Sequence, residues 1–332
     1  MKRSKRIPLA LLGAALAAGL LAACAAEPMS AAVATQQSAE KSKVSIVGKS
    51  MTSEFFRSVY AGAEAAAAEY NLTIDISGPD TEEDYEAQDR IIQTAVERGA
   101  QALVLSAVDY EKNAAAVAEA AKAGVKIVTI DSRVNASAVS TYIGTDNYAA
   151  GKMAVQAALE CKYDTLHVGL VNYDINSANG QERERGVRDA LENEENAAIS
   201  ATINVVANAE SAQAGTAAML REHPEINVLI AFNEPTSVGA ARAVSELGLG
   251  SDTWLIGFDS NRETSDMLQT GEVDALIEQN PYAMGYLGVE SAYKLISGQG
   301  NELKATVDTS TMIVGRENMF TIDSQKALFA FG

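Results

Sequence analysis

The chain has 332 residues, of which 26 are basic and 44 acidic, and its formal net charge is −18. This acidity argues against a nucleic-acid partner, because phosphate binding needs a basic face. The length is more than one hydrophobic core usually needs, so two lobes are predicted. Of the two cysteines only Cys161 lies beyond residue 42, so the body of the chain must be stable without an internal disulfide.

The N-terminus has the pattern of a secretory signal. Four of the first six residues are basic, and an apolar run follows over residues 7–23. The run leads into L-A-A-C at residues 21–24, which resembles the bacterial lipobox and predicts that Cys24 becomes a lipid-carrying, membrane-anchored N-terminus. The alternative is an ordinary signal cleaved at a nearby small residue. Residues 1–23 are thus predicted as signal peptide and residues 24–42, rich in Ala, Ser, Gln and Thr, as a flexible tether.

From Lys43 onward, short β-branched runs alternate with amphipathic helical runs. The predicted strands are Val44–Val47, Leu72–Ile76, Ala102–Leu105, Lys126–Ile130, Thr165–Leu170, Ile203–Val206, Val228–Ala231, Trp254–Gly257 and Val273–Glu278. The predicted helices are Ser53–Tyr70, Tyr85–Arg98, Asn113–Ala123, Asn147–Glu160, Gln181–Asn193, Ala212–Glu222, Ser237–Leu247 and Pro281–Ser297. This alternation predicts an α/β fold with two doubly wound parallel sheets.

The acidic run Glu82-Glu83-Asp84 precedes one of these helices. We interpret it as the first helical turn, where negative charge complements the helix dipole.

Polar residues follow the predicted strands, and in doubly wound sheets the ligand crevice lies outside the carboxyl ends of the strands. These residues are Lys49, Ser50, Gly78, Ser106, Asp131, Tyr173, Asp174, Asn208–Glu210, Asn233, Glu234, Asp259 and Gln279. Carboxylates, amides and a few cations together suit a polyhydroxylated ligand, because hydroxyl groups both donate and accept hydrogen bonds.

Asp131, which ends the run V-K-I-V-T-I-D, could be a catalytic acid, a metal ligand, a ligand-binding carboxylate or a helix cap. With Asp259 it could also form the carboxylate pair of a glycosidase, although no accompanying motif supports this. No phosphate loop, dinucleotide fingerprint or serine nucleophile elbow occurs in the sequence. His167 and His223 lack partners at metal-binding spacing, so neither a metal nor a cofactor is predicted.

Motifs at the strand ends resemble those of type I periplasmic sugar-binding proteins, the ribose- and galactose-binding branch that feeds ABC importers. They are S-E-F-F at Ser53–Phe56, T-I-D at Thr129–Asp131, I-G-T-D-N at Ile143–Asn147, R-E-R-G at Arg183–Gly186, F-N-E at Phe232–Glu234, G-F-D at Gly257–Asp259 and I-E-Q-N-P at Ile277–Pro281. The resemblance covers residues 43–313.

This resemblance implies two lobes joined by a three-segment hinge. The N-terminal lobe would comprise residues 43–145 and 280–308, and the C-terminal lobe residues 146–279 and 309–332. A ligand would bind between the lobes, which would close over it. The residues then predicted to contact the ligand are Lys49, Ser53, Phe55, Phe56, Asp131, Ser132, Arg183, Asn233, Asp259 and Gln279.

Three departures from the family pattern leave the ligand open. Ser132 stands where ribose binders carry arginine. The family's aromatic residue of the second lobe would fall near residues 208–210, where this chain has none, and Tyr173 is a candidate to replace it. Lys49 replaces a small polar residue and would either balance the carboxylates or recognise an anionic group. A pentose, hexose, polyol or sugar-like signal remains possible.

The resemblance implies an extracytoplasmic, monomeric lipoprotein that binds a carbohydrate, works with an ABC permease and catalyses no reaction. The alternative is a sensory lipoprotein of the same fold that reports to a membrane receptor or kinase.

Overall fold

The computed structural model describes residues 41–329. The predicted signal peptide, the lipid-anchor candidate Cys24 and nearly all of the predicted tether lie outside the described residues. The described part of the chain contains two six-stranded sheets.

The first sheet contains β1 (Lys43–Val47), β2 (Thr73–Ser77), β3 (Ala102–Leu105), β4 (Lys126–Ile130), β5 (Val139–Gly144) and β11 (Thr306–Asp308). The second contains β6 (Leu166–Asn172), β7 (Ala197–Asn204), β8 (Val228–Ala231), β9 (Trp254–Phe258), β10 (Ala275–Glu278) and β12 (Met312–Gly315). Their orders are β11-β5-β4-β3-β1-β2 and β12-β10-β9-β8-β6-β7. Neighbouring strands run parallel except β10 and β12, so the prediction of an α/β fold with two doubly wound sheets is confirmed.

The helices follow the strands closely along the chain. They are α1 (Glu54–Glu69), α2 (Tyr85–Glu97), α3 (Ala114–Lys122), α4 (Asn147–Ala158), α5 (Ala178–Leu191), α6 (Ala209–Glu222), α7 (Glu234–Glu246), α8 (Arg262–Thr270), α9 (Pro281–Ile296) and α10 (Ile322–Leu328). Most begin at an Asn, Asp, Ser or Thr whose side chain accepts a hydrogen bond from the third residue of the helix, as Asn280 does at α9.

Two of the predictions for local structure are wrong. The strand predicted at Ile203–Val206 is β7, which ends at Asn204 and begins six residues earlier than expected, at Ala197. Glu82 and Glu83 do not form the first turn of a helix, because α2 begins at Tyr85. They lie in the preceding turn, and Asp84 is the cap whose carboxylate accepts a hydrogen bond from the Ala87 N–H at 2.8 Å.

The chain passes from one sheet to the other three times. It does so between β5 and α4, between β10 and α9, and between β11 and β12. Helix α9 packs on α1 and on strands of the first sheet, whereas α4 packs on α5 and on strands of the second. The residue ranges given above for the two lobes remain a prediction.

Glycines allow two helix pairs to touch at their backbones. A Cβ atom on Gly62 of α1 would overlap the Tyr282 carbonyl of α9, and one on Gly285 would overlap the Val59 carbonyl. The α4–α5 pair is built in the same way, because a Cβ on Gly151 would overlap the Arg183 carbonyl. Each pair therefore brings a helix that follows a chain crossing into direct backbone contact with another helix on the same sheet.

No helix among residues 41–329 is both long and apolar enough to span a bilayer.

Candidate functional site

A narrow cavity lies where the carboxyl ends of strands from both sheets come together. Its lining residues are Lys49, Ser53, Phe55, Phe56, Glu82, Asp131, Tyr173, Asn179, Arg183, Asn233, Glu234, Pro235, Asp259 and Gln279. Most of them follow a strand directly or lie in the first turn of the next helix. The parallel topology thus gathers residues that are far apart in sequence.

Nine of the ten residues predicted to contact a ligand line this cavity, and Ser132 does not. The Ser132 side chain is buried, and no described residue hydrogen-bonds its hydroxyl. The following residue, Arg133, lays its guanidinium over the Tyr142 ring at 3.6 Å. The structure therefore brings together the predicted set without Ser132, while the role of each member as a ligand contact remains a prediction.

Asp131 and Asp259 both adopt a left-handed backbone conformation, with φ of 55° and 61°. Only a few per cent of non-glycine residues do so, and such conformations are concentrated at functional sites. The Asp131 N–H donates to Ile143 O on β5 at 3.0 Å, and the Asp259 N–H donates to Ile277 O on β10 at 3.2 Å. Each strand end thus turns its carboxylate towards the cavity while its backbone stays bonded to the adjacent strand.

The Asp131 carboxylate is surrounded by donors. Its Oδ2 accepts from the Ser106 hydroxyl at 2.6 Å and lies 3.9 Å from Lys49 Nζ, and its Oδ1 accepts from Asn179 Nδ2 at 3.2 Å. Lys49 is buried and also donates to Ser177 Oγ at 3.2 Å. Because protein oxygens already surround this ammonium, the geometry favours the role in which Lys49 balances the carboxylates.

The Asp259 carboxylate has an amide partner. Nε2 of Gln279 lies 2.9 and 3.0 Å from its two oxygens, and the Gln279 Oε1 accepts from Thr145 Oγ1 at 2.7 Å. Burial raises the pKa of Asp259 to about 7, although Arg183 and the Gln279 bond oppose the rise. Burial, and then the charge of Asp259, also raise the pKa of Glu278 well above its usual value.

Arg183 reaches the cavity from α5 and is 1% exposed. Its Nε donates to Asn147 Oδ1 at 2.9 Å, its Nη1 donates to the Phe232 carbonyl, and its guanidinium lies over the Phe258 ring at 4.4 Å. Its Nη2 is buried and has no hydrogen-bond partner among the described residues. An unpaired charged donor is costly in a buried position, so Nη2 calls for an acceptor in the cavity.

Aromatic rings line the cavity on both sides. Phe55 and Phe56 on α1 meet edge to face, with centroids 5.3 Å apart and an interplanar angle of 76°. Tyr173, which follows β6, lines the cavity and donates its hydroxyl to Asn179 Oδ1 at 2.8 Å. Tyr173 thus lies where it could supply an aromatic surface from the second sheet, as its place after the strand suggested.

Glu234 joins the two sides of the cavity. Its Oε2 accepts from Ser53 Oγ at 2.7 Å and from the Phe55 N–H at 3.3 Å, and its Oε1 accepts from Asn261 Nδ2 at 3.2 Å. The adjacent Asn233 caps α7, since its Oδ1 accepts from the Thr236 N–H at 3.1 Å. This leaves the amide hydrogens of Asn233 for other partners.

Five lining residues were not among the predicted contacts: Glu82, Tyr173, Asn179, Glu234 and Pro235. Tyr173 and Glu234 carried a usable signal, because Tyr173 directly follows β6 and Glu234 begins the helix shortly after β8. Asn179 is the second residue of α5, and Glu82 lies ahead of α2 in the acidic run that we interpreted as the first helical turn. For these two residues the local pattern gave no indication of a cavity.

Comparison with known proteins places this geometry in a family. The family model described as "Periplasmic binding protein domain" matches residues 44–300. The D-ribose/D-allose-binding protein of Pseudomonas aeruginosa is 28% identical over 316 residues, which cover 90% of this chain and 96% of that protein. The ribose import binding protein of Bacillus subtilis is 25% identical over 283 residues, or 84% of this chain and 90% of that protein.

A solved structure agrees with these sequence matches. The carbohydrate transporter solute-binding protein from Agrobacterium radiobacter, in complex with D-arabinose, superposes with a TM-score of 0.84 and 26% identity. The match covers 88% of this chain and 100% of that one. The agreement therefore extends over both sheets.

Proposed function

Because the chain belongs to the periplasmic binding protein family, we propose that it holds a neutral sugar or polyol in the cavity and passes it to an ABC importer. The chain is an extracytoplasmic sugar-binding component of an ABC sugar transporter and not an enzyme. The ligand, the residues that contact it and the lipid anchor are proposed below.

The observation that carries the proposal is the unpaired Nη2 of Arg183 in a cavity lined by carboxylates. A sugar hydroxyl can accept from this nitrogen and donate to a carboxylate at the same time. The apolar rings of Phe55 and Phe56 suit the C–H side of a sugar ring. We therefore assign ligand contact to Lys49, Ser53, Phe55, Phe56, Asp131, Arg183, Asn233, Asp259 and Gln279, and we assign no direct contact to Ser132.

We further propose that the two sheets with their helices act as lobes that open and close at the three chain crossings. Hydrogen bonds across the cavity, such as that from Ser53 to Glu234 at 2.7 Å, support the assignment of the structure to the closed arrangement. Opening would break these bonds and expose the cavity.

The relatives named above bind ribose, allose and arabinose according to their descriptions. A first panel should therefore contain D-ribose, D-allose, D-arabinose, D-glucose, D-galactose and D-fucose. At a sugar concentration one hundred times Kd, binding would stabilise the folded protein by about 2.7 kcal/mol, a Tm rise of several degrees.

Arg183→Lys tests the proposed contact, because lysine keeps the charge but cannot present the second guanidinium nitrogen. We expect the sugar to bind ten- to one-hundred-fold more weakly, in line with the loss of a charge-assisted hydrogen bond. Arg188→Lys is the matched control, since Arg188 lies on the same helix and pairs with Glu184 at 2.6 Å away from the cavity. A panel without any thermal shift would refute the proposed function.

We also propose that Cys24 carries a lipid that anchors the protein to the cell membrane as a monomer beside its permease. The basis is the basic start, the apolar run and the terminal L-A-A-C of the sequence. Cys24→Ser should release the protein from the membrane fraction and abolish labelling by a fatty-acid probe. Unchanged labelling would contradict the anchor while leaving sugar binding untouched.

A further inference from the structure

The three acids of the acidic turn, Glu82-Glu83-Asp84, have three different environments. Asp84 caps α2, as described above. Glu83 contacts the opposite side of the cleft, because its Oε1 accepts from the Ala207 N–H at 2.6 Å. Ala207 lies between β7 and α6 of the second sheet, whereas the acidic turn follows β2 of the first. The turn thus spans the rim of the cavity.

Glu82, next to Glu83 in the turn, faces the cavity. It is half-buried and lines the cavity, and no donor among the described residues hydrogen-bonds its carboxylate. The other three cavity carboxylates, those of Asp131, Glu234 and Asp259, each accept hydrogen bonds from protein side chains. Glu82 is therefore the acceptor in the described cavity that the protein itself does not satisfy.

A second, independent feature of the cavity complements it. The buried Nη2 of Arg183 is a donor without an acceptor among the residues that the structure describes. A ligand that satisfies both groups must donate to Glu82 and accept from Arg183, as hydroxyl groups do.

The charges of the cavity limit the ligand further. Four acidic side chains, Glu82 among them, line it against two basic ones, Lys49 and Arg183. Lys49 already lies between Asp131 and the Ser177 hydroxyl, so it is not free to neutralise an incoming anion. Burial raises the pKa of Glu82 to about 7, so above that pH a carboxylate on the ligand would meet a second negative charge in a poorly solvated space, where like charges repel strongly.

We propose that Glu82 contacts the ligand and selects uncharged polyhydroxylated ligands over their acid derivatives, and that Glu83 holds the acidic turn against the second sheet while it does so. This inference rests on the proposed function and names a residue that determines its specificity. In this proposal two adjacent side chains of the turn have different roles: Glu82 contacts the ligand, and Glu83 holds the two sides of the cleft together.

Three matched pairs, in which only the terminal CH2OH group is oxidised to a carboxylate, test the inference: D-allose and D-alluronate, D-glucose and D-glucuronate, and D-galactose and D-galacturonate. For the pair whose neutral member binds, the unaltered protein should prefer the sugar to the acid by at least one hundredfold in titration calorimetry well above pH 7, where Glu82 is ionised. Glu82→Gln should weaken binding of the sugar about tenfold, because a charged acceptor becomes a neutral one. The same change should reduce the ratio of sugar affinity to acid affinity by tenfold or more, because the like-charge repulsion between Glu82 and the acid is removed.

Two further variants separate the roles within the turn. Glu83→Gln should keep the preference but release the sugar several-fold faster in stopped-flow measurements, because the bond across the cleft is weakened. Glu86→Gln changes an exposed acid four residues beyond Glu82 and should alter neither quantity. Unliganded melting temperatures of all variants should stay within a few degrees of one another, which separates a loss of contact from a loss of fold.

If the neutral sugar binds but Glu82→Gln changes neither its affinity nor the preference over the acid, this inference fails and the proposed function stands. Tighter binding of the acid by the unaltered protein would overturn the inference in the same way. If no sugar binds at all, the proposed function itself fails.

Discussion

Asp131 and Asp259 occupy the same place in the two sheets, yet the protein surrounds them differently. Asp131 lies 3.9 Å from the ammonium of Lys49 and accepts from Ser106 at 2.6 Å. Asp259 accepts at 2.9 Å from Gln279, and burial raises its pKa to about 7. The first carboxylate is stabilised by a cation beside it, whereas the second stays close to the point at which it takes up a proton.

This difference shows that the same backbone conformation can hold a carboxylate in two different electrostatic environments. The left-handed turn with φ near 60° and the bond to the adjacent strand are shared by both aspartates. The partners come from other parts of the chain and set whether the carboxylate is paired or partly protonated. Two acids that look equivalent in the sequence should therefore respond differently to the loss of their partners.

The largest effect should come from Lys49→Met. It removes the cation beside Asp131 and leaves a buried charge behind, so the free energy of unfolding should fall by about 3 kcal/mol in urea titrations of the unliganded protein. The double variant Lys49→Met with Asp131→Asn should recover much of that loss, because the stranded charge is gone. If the two substitutions simply add, Asp131 does not depend on Lys49.

The second prediction concerns pH. Since the pKa of Asp259 is raised to about 7 in the folded state, folded Asp259 holds its proton between about pH 4 and pH 7 while the unfolded chain releases it. The contribution of Asp259 therefore lowers stability as pH rises through this window and is constant above it. Asp259→Asn removes this titration, so its stability relative to the unaltered protein should grow by up to about 1.4 kcal/mol per pH unit.

The quantity to measure is the difference in the free energy of unfolding between Asp259→Asn and the unaltered protein, from urea titrations at a series of pH values. Burial also raises the pKa of Glu82 to about 7, but Glu82 is present in both proteins and its effect largely cancels. The pKa of Glu278 is raised in part by the charge of Asp259, so the difference reports the coupled titration of Asp259 and Glu278. A difference that does not change between pH 5 and pH 8 would show that Asp259 titrates normally.

The third prediction compares how much the uncharged hydrogen-bond partners of the two aspartates contribute to the free energy of unfolding. Gln279→Met removes the amide from Asp259 and also the acceptor of Thr145 at a chain crossing, and we expect a loss of about 2 kcal/mol in unfolding free energy. Ser106→Ala removes one hydroxyl from Asp131, and we expect a loss of about 1 kcal/mol because Asn179 and Lys49 remain. The reverse order would mean that Ser106, and not Lys49, dominates at the first strand end.

The smallest effect is expected at Asn71, which also has a positive φ, of 53°, but lies after α1 and away from the cavity. Asn71→Gly should change the free energy of unfolding by less than about 1 kcal/mol, since glycine adopts this conformation without strain. Sugar affinity should not change in calorimetry. A loss of affinity would show that the left-handed conformation matters beyond the strand ends.

The sequence predicts the strand ends well for a physical reason. Buried parallel strands such as Ala102–Leu105 and Val228–Ala231 are continuous apolar runs, and both were predicted at their observed bounds. The residues directly after such strands must lie at the same edge of a sheet, so Asp131, Asn233 and Asp259 could be placed together from the sequence.

Other parts of the fold could not be derived in this way. The helix α8 has only nine residues and is largely polar, and β11 has only three residues, so both are too short to be assigned from the sequence with the longer elements. Glu82 illustrates the same limit within the site, because acids before a helix fit a cap as well as a ligand contact. The structure distinguishes the two, because the second sheet approaches this turn, with the Ala207 N–H donating to the neighbouring Glu83, and Glu82 lines the cavity.

The backbone contacts at Gly62 and Gly151 bear on how such a protein can change its ligand over evolutionary time. Both helix pairs are joined so closely that even a methyl group would force them apart. Substitutions at these helix contacts are therefore restricted, whereas a side chain in a turn that follows a strand, such as Glu82, can be replaced without disturbing them. Specificity for a new ligand can then evolve through substitutions at the rim of the cavity while the packing of the helices stays the same.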